Sequence, residues 1–145
     1  MNSLNIFQRE DIEMGYYVNV TGGTFNFDKG AKDKIIKAIK DGIKTKRITQ
    51  ESYVDFDTVL EAETIEDILG EFRFELCLNK DDRYEIDYFS GEKFGGYEES
   101  LFKCIAPYVN DGYIEYLGED GERWRYIFKN GRCREVYPEI IWEEI

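Results

Sequence analysis

The stretch Gly112-Tyr-Ile-Glu-Tyr-Leu-Gly-Glu-Asp-Gly-Glu-Arg-Trp-Arg-Tyr-Ile-Phe-Lys-Asn-Gly-Arg-Cys-Arg-Glu-Val-Tyr137 decides the fold. Two turn pairs, Asp120-Gly121 and Asn130-Gly131, lie between runs rich in aromatic and β-branched residues, the pattern of consecutive β-hairpins. They predict a three-stranded meander over 113–118, 122–129 and 132–137. With two-residue turns, Leu117 pairs with Trp124, Tyr113 with Phe128, and Phe128 with Cys133. One face then holds Tyr113, Leu117, Trp124, Tyr126, Phe128, Cys133 and Tyr137 and is expected to be core, because aromatic side chains bury large areas and pair across strands. A platform for stacking nucleic-acid bases is the functional alternative. The opposite face carries Arg123, Arg125, Lys129, Arg132 and Arg134 among Ile114, Tyr116, Ile127 and Val136. Glu115 and Glu135 flank Tyr126 and need either the sheet's edge or basic partners.

Outward from this stretch, composition sets the class. A chain of 145 residues with 42% hydrophobic and 16% aromatic residues is long and apolar enough for a packed core in one domain, with possible lobes 1–70 and 71–145. No run approaches the ~20 apolar residues of a membrane span. The start, Met1 to Arg9, lacks a basic region followed by an apolar one, so a cytoplasmic location is expected. Histidine is absent, which removes Ser-His-Asp and Cys-His catalysis and imidazole metal ligands. Cys77, Cys104 and Cys133 are far apart, lack C-x-x-C spacing, and are expected to be small core residues of a reduced protein.

The net charge of −12 is unevenly spread. Residues 29–47 hold eight Lys/Arg against Asp33 and Asp41, whereas 51–99 hold 16 acidic and four basic residues. A strongly acidic surface repels nucleic acid and membrane and attracts basic partners; its plain alternative is a solubilising role.

Along the chain, residues 1–15 suggest a lead-in segment on the core. The runs 16–21 and 24–27 around Gly22-Gly23 suggest a hairpin; no lysine or third glycine follows to make a phosphate loop. Asp28 is placed to cap a helix over 29–43, with Ile35, Ile36, Ile39 and Ile43 on one side and Lys34, Lys37, Lys40 and Lys44 on the other. That secondary basic surface is either solvated or a docking site for RNA, phosphate or an acidic patch. Alternation over 50–61 suggests a strand whose acidic face includes Asp55 and Asp57. Thr64-Ile-Glu-Asp67 has capping-box spacing for a short helix over 64–69. The runs 72–78 and 84–88 around Asn79-Lys-Asp-Asp82 form a further predicted hairpin. Gly91-Glu-Lys-Phe-Gly-Gly96 reads as a mobile link, and a helix over 97–109 presents Leu101, Phe102, Ile105, Tyr108 and Val109 to the aromatic face of the meander. Residues 138–145 suggest a final edge strand, with Trp142 covering the core or offered to a partner.

The fold class is therefore α+β: a largely antiparallel sheet of six to seven strands with two main helices on one face. Carboxylate clusters are the only raw material for catalysis. The calcium-loop pattern of alternating ligands, a central glycine and a terminal Glu is missing at Asp55/Asp57 and Asp81/Asp82, and no cofactor or metal is expected. Carboxylates spaced along strands can instead imitate a phosphate backbone. The surface expected to do so comprises Asp55, Asp57, Glu61, Glu63, Glu66, Asp67, Asp81, Asp82, Glu85 and Asp87, facing the groove of a basic nucleic-acid-binding protein such as a nuclease or effector complex.

The segment Gly118-Glu-Asp-Gly-Glu-Arg-Trp-Arg-Tyr-Ile-Phe-Lys-Asn-Gly131 resembles the C-terminal signature of small acidic proteins carried by phages and mobile elements of gut bacteria. The resemblance covers about the last third of the chain and brings no catalytic residues with it. It implies counter-defence of the anti-CRISPR or antirestriction kind, with an immunity protein that neutralises a toxin, or a small-ligand-binding regulatory domain, as alternatives.

Overall fold

The computed structural model describes residues 17–50, 54–89 and 98–144. The predicted lead-in at 1–15 and the link at 91–96 lie outside them. Seven strands and four α-helices are seen among these residues: β1 (Val18–Gly23), β2 (Asn26–Asp28), α1 (Lys32–Lys44), α2 (Phe56–Glu61), α3 (Ile65–Glu71), β3 (Phe74–Leu78), β4 (Arg83–Phe89), α4 (Glu98–Ile105), β5 (Gly112–Gly118), β6 (Arg123–Lys129) and β7 (Arg132–Val136). The class is α+β, but the expected single sheet is two antiparallel sheets, one of four strands in the order β1-β5-β6-β7 and one of three in the order β2-β4-β3.

The meander forms, with one correction of register. The Asn130-Gly131 turn is the expected two-residue loop, both residues having positive φ (53° and 78°) and Lys129 pairing with Arg132, as a type I′ turn requires. The other turn is one residue longer. The Gly118 amide donates to the Glu122 carbonyl (2.8 Å), and Gly121, with φ 92°, donates to the Gly118 carbonyl (2.9 Å). Tyr116 therefore faces Trp124, and Ile114 faces Tyr126. A one-residue shift flips every side chain of a strand, so Ile114 and Tyr116 are buried while Tyr113 and Leu117 turn outward. Glu115 leaves the core face with them.

Gly22-Gly23 is not a hairpin turn. β1 pairs with β5, Gly23 lying opposite Ile114, and β2 pairs with β4 in the other sheet. Thr24 and Phe25 carry the chain between sheets, held by the Thr24 amide on the Tyr113 carbonyl (2.7 Å). Gly23 has φ 140°, and a Cβ there would overlap the Tyr113 carbonyl oxygen and lie 2.9 Å from Ile114 Cα. Gly23→Ala is therefore expected to cost about 2–3 kcal/mol. Gly22→Ala, with nothing within 4 Å of its new Cβ, is the matched control. Urea denaturation giving the two variants equal stability would refute this close approach.

The core is an aromatic chain across both sheets. Phe27 stacks on Tyr84 (5.1 Å), Phe74 contacts Phe89 (4.8 Å), and Phe89 meets Tyr116 edge to face (5.5 Å). On the four-stranded sheet, Tyr116 stacks on Trp124 (5.5 Å). As expected, α4 lies against the inner face of the meander, through Phe102 on Tyr126 (5.1 Å) and Phe128 (5.4 Å). α1 packs on α4 with Ile35, Ile39 and Ile43 buried, and at Gly42 it comes so close that an added Cβ would stand 2.9 Å from Cys104 Sγ. A 3-10 turn, Lys29–Ala31, precedes α1, and Asp28 does not cap the helix. Its carboxylate accepts instead from Asn110 Nδ2 (3.1 Å) and pairs with Arg83 (3.3 Å), fastening β2 to β4.

Two further expectations change. Part of the strand predicted over 50–61 is the helix α2, and residues 51–53 lie outside the described residues. Asp55 starts that helix, its carboxylate accepting from the amides of Asp57 (3.0 Å) and Thr58 (3.3 Å), so a good N-cap outweighed the alternation. Residues 138–144 form no strand; Pro138 has no amide proton for a ladder, and these residues run exposed.

Candidate acidic interaction surface

All ten predicted carboxylates are exposed, but they do not share one strand face. Asp57 and Glu61 lie on α2 and Glu63 on the link to α3. Glu66 and Asp67 lie in the first turn of α3, where Thr64 Oγ1 accepts from the Asp67 amide (3.1 Å), as the capping spacing predicts. Carboxylates at this end complement the helix dipole. Asp81 and Asp82 sit in the β3–β4 turn, which Asn79 organises by accepting from the amides of Asp81 (2.8 Å) and Arg83 (3.0 Å). Glu85 and Asp87 follow on β4.

The three-stranded sheet separates these residues into two groups. Tyr84 points inward, stacks on Phe27 and donates to Glu66 of α3 (3.2 Å), so Glu66 lies on the inner side of β4. Glu85 points the other way, between Asn26 and Cys77. The β3–β4 turn, with Asp81 and Asp82, stands at one end of both groups. Local electrostatics follow this layout. Desolvation and then the Glu66 carboxylate raise the Tyr84 phenol, and desolvation with Asp87 and Glu85 raises the Cys77 thiol.

Among the described residues none of the ten makes an ion pair, whereas carboxylates elsewhere do: Asp41 with Lys37 (2.7 Å), Glu99 with Lys103 (3.1 Å), and Glu115 with Arg125 (2.7 Å) and Arg123 (2.9 Å). The predicted basic surface is partly consumed in this way. Lys37 is held by Asp41, and Lys40 reaches the Ala62 carbonyl (2.7 Å), tying α1 to the α2–α3 link. Lys34 and Lys44 remain exposed.

Glu115 answers the problem posed by a glutamate in the meander. The longer turn moves it to the outer face, where hydrogen bonds from Arg125 and Thr21 hold its carboxyl below the usual range, against some desolvation. A carboxyl with a depressed folded-state pKa adds stability above its unfolded pKa and loses it as pH falls through the folded one. Wild type should therefore exceed Glu115→Gln in stability at neutral pH, and the gap should close on acidification. A gap unchanged across the carboxylate titration would contradict this.

Cys77 is exposed, contrary to expectation, because it falls on the outward phase of β3. Cys104 and Cys133 are half-buried, and burial raises both thiols, that of Cys133 to about 12, which keeps them in the unreactive protonated form. A cleft of about 410 Å³ opens between the sheets, with Thr21, Thr24, Glu85, Asp87 and Tyr88 among its lining residues. It lacks the predominantly apolar wall of a small-ligand pocket. Among the described residues no group of three or more Cys, Asp or Glu is arranged to hold a metal ion, and no helix is long and apolar enough to cross a membrane. Comparisons of the chain with protein-family models, with curated proteins and with solved structures return no match.

Proposed function

We propose that this chain is a non-catalytic acidic binding protein that occupies the nucleic-acid groove of a basic bacterial nuclease or effector, in the manner of phage or mobile-element counter-defence proteins. One observation supports this above the others. The ten exposed carboxylates gathered on α2, α3, the β3–β4 turn and β4 make no ion pair among the described residues, whereas Asp28, Asp41, Glu99 and Glu115 are paired with cations. Unpaired like charges on a small domain cost stability through mutual repulsion, and a basic groove relieves that cost on binding. α2, the start of α3, the β3–β4 turn and β4 carry these charges on the two sides of the three-stranded sheet, and exposed carboxylates of this kind can take the place of phosphates in a basic groove. Capture of partners from bacterial lysate by the tagged chain, washed at low and at high salt, tests the reading. It predicts one basic nucleic-acid-binding protein, released by salt. Recovery of nucleic acid itself, or of no partner at low salt, would refute it.

A further inference from the structure

The outer face of the four-stranded sheet is mainly basic, although the chain as a whole is acidic. Lys129 and Arg132 form one cross-strand pair, Arg134 lies opposite Ile127, and Arg125 lies opposite Val136. Among the described residues Lys129, Arg132 and Arg134 make no ion pair, and Tyr113 lies under the Arg125 guanidinium at 4.6 Å. Arg123 and Arg125 are paired with Glu115 on this face, so Lys129, Arg132 and Arg134 are its unpaired cations, set around half-buried apolar side chains.

The segment that follows β7 has the opposite character. Pro138-Glu-Ile-Ile-Trp-Glu-Glu144 carries three carboxylates and no cation, and it exposes Ile140 by 80%, Ile141 by 77% and Trp142 by 88%. Three consecutive large apolar side chains in water mark an interaction site. Pro138 restricts Tyr137 to extended backbone, so the tail continues past the sheet. Only its root, Tyr137 to Glu139, lines a cleft of about 500 Å³ with Arg123, Trp124 and Arg125.

We propose that the tail of one copy docks on the outer sheet face of a second copy, and reciprocally. Glu139, Glu143 and Glu144 meet Lys129, Arg132 and Arg134, and the Ile-Ile-Trp run covers Ile127 and Val136. Charge complementarity selects this occupant: the chain holds both halves of the contact, and the exchange closes with two-fold symmetry. The surface is separate from the acidic one above.

Analytical ultracentrifugation of the full chain at low salt, over a range of concentrations, tests the proposal. Dimers are expected, with the dissociation constant raised roughly tenfold or more by Trp142→Ser and by Arg132→Glu with Arg134→Glu, as loss of an anchor or reversal of a complementary charge implies. Adding Glu143→Arg and Glu144→Arg to the arginine reversals should restore the dimer. All these positions are exposed, so folding is not at stake. A monomer at every concentration, or a dimer indifferent to either set, overturns the proposal. So does a monomer whose Trp142 fluorescence responds to the arginine reversals, which would seat the tail on its own sheet. Retention of a labelled oligonucleotide through Arg132 and Arg134 by a monomer would make nucleic acid the occupant and equally overturn it.

Discussion

Phe102→Ala is expected to destabilise the protein by about 4–5 kcal/mol, the upper end for loss of a buried aromatic ring. Phe102 is 1% exposed and stands where three parts of the core meet. It contacts Tyr126 and Phe128 of the four-stranded sheet, Phe74 of the three-stranded sheet (5.9 Å) and Phe25 of the crossing between them (6.0 Å). Removing it opens a cavity bordered by elements that are themselves paired in sheets and have little freedom to close it. Phe102→Leu, which keeps most of the volume, should cost far less. Chemical denaturation of the pair decides the matter, and an alanine variant within about 1 kcal/mol of wild type would mean that the sheets are joined elsewhere.

The second large effect concerns binding. Reversing Glu61, Glu63, Asp81 and Asp87 to lysine should weaken capture of the basic partner by roughly 100-fold or more while leaving the fold intact, since each reversal places like charges together. Four reversals of two charges each move the net charge from −12 to −4. The positions avoid those with structural duties. Asp55 caps α2, Asp82 has positive φ (59°), and Glu66 and Glu85 accept hydrogen bonds. Lysine in place of Glu61, the last residue of α2, even suits the negative end of the helix dipole. A folded quadruple variant that binds as well as wild type would leave the carboxylates with a solubilising role alone.

Local signals account for what the chain discloses on reading. The meander strands, the Asn130-Gly131 turn, the apolar side of α1, the Thr64 cap and the Asn79 turn all depend on residues close in sequence, and each is found where the pattern places it. What escaped depends on a single residue of loop length or on distant partners. Asp120-Gly121 fits a two-residue turn as well as the three-residue loop that forms, and that difference exchanges Tyr113 and Leu117 for Ile114 and Tyr116 in the core. Gly22-Gly23 has the composition of a turn, yet its role is set by Tyr113 and Ile114, some 90 residues away. Asp55 two residues before Asp57 and three before Thr58 is an N-cap signal that was available and was masked by alternation at Val54, Phe56, Thr58 and Leu60. The ten acids were legible as a group, because acidity over 51–99 is compositional. Their division by β4 was not, because it follows from which way Tyr84 and Glu85 point once β2 and β3 flank them.

Competition on a captured partner tests the central claim most directly. With a basic nuclease or effector in hand, titration of a labelled nucleic-acid substrate against the bound chain should show mutual exclusion, with the apparent affinity of each falling in proportion to the other's concentration, and both weakened by salt. A ternary complex in which nucleic acid and this protein sit on the partner together, each with its affinity unchanged, would contradict charge mimicry of the groove's ligand.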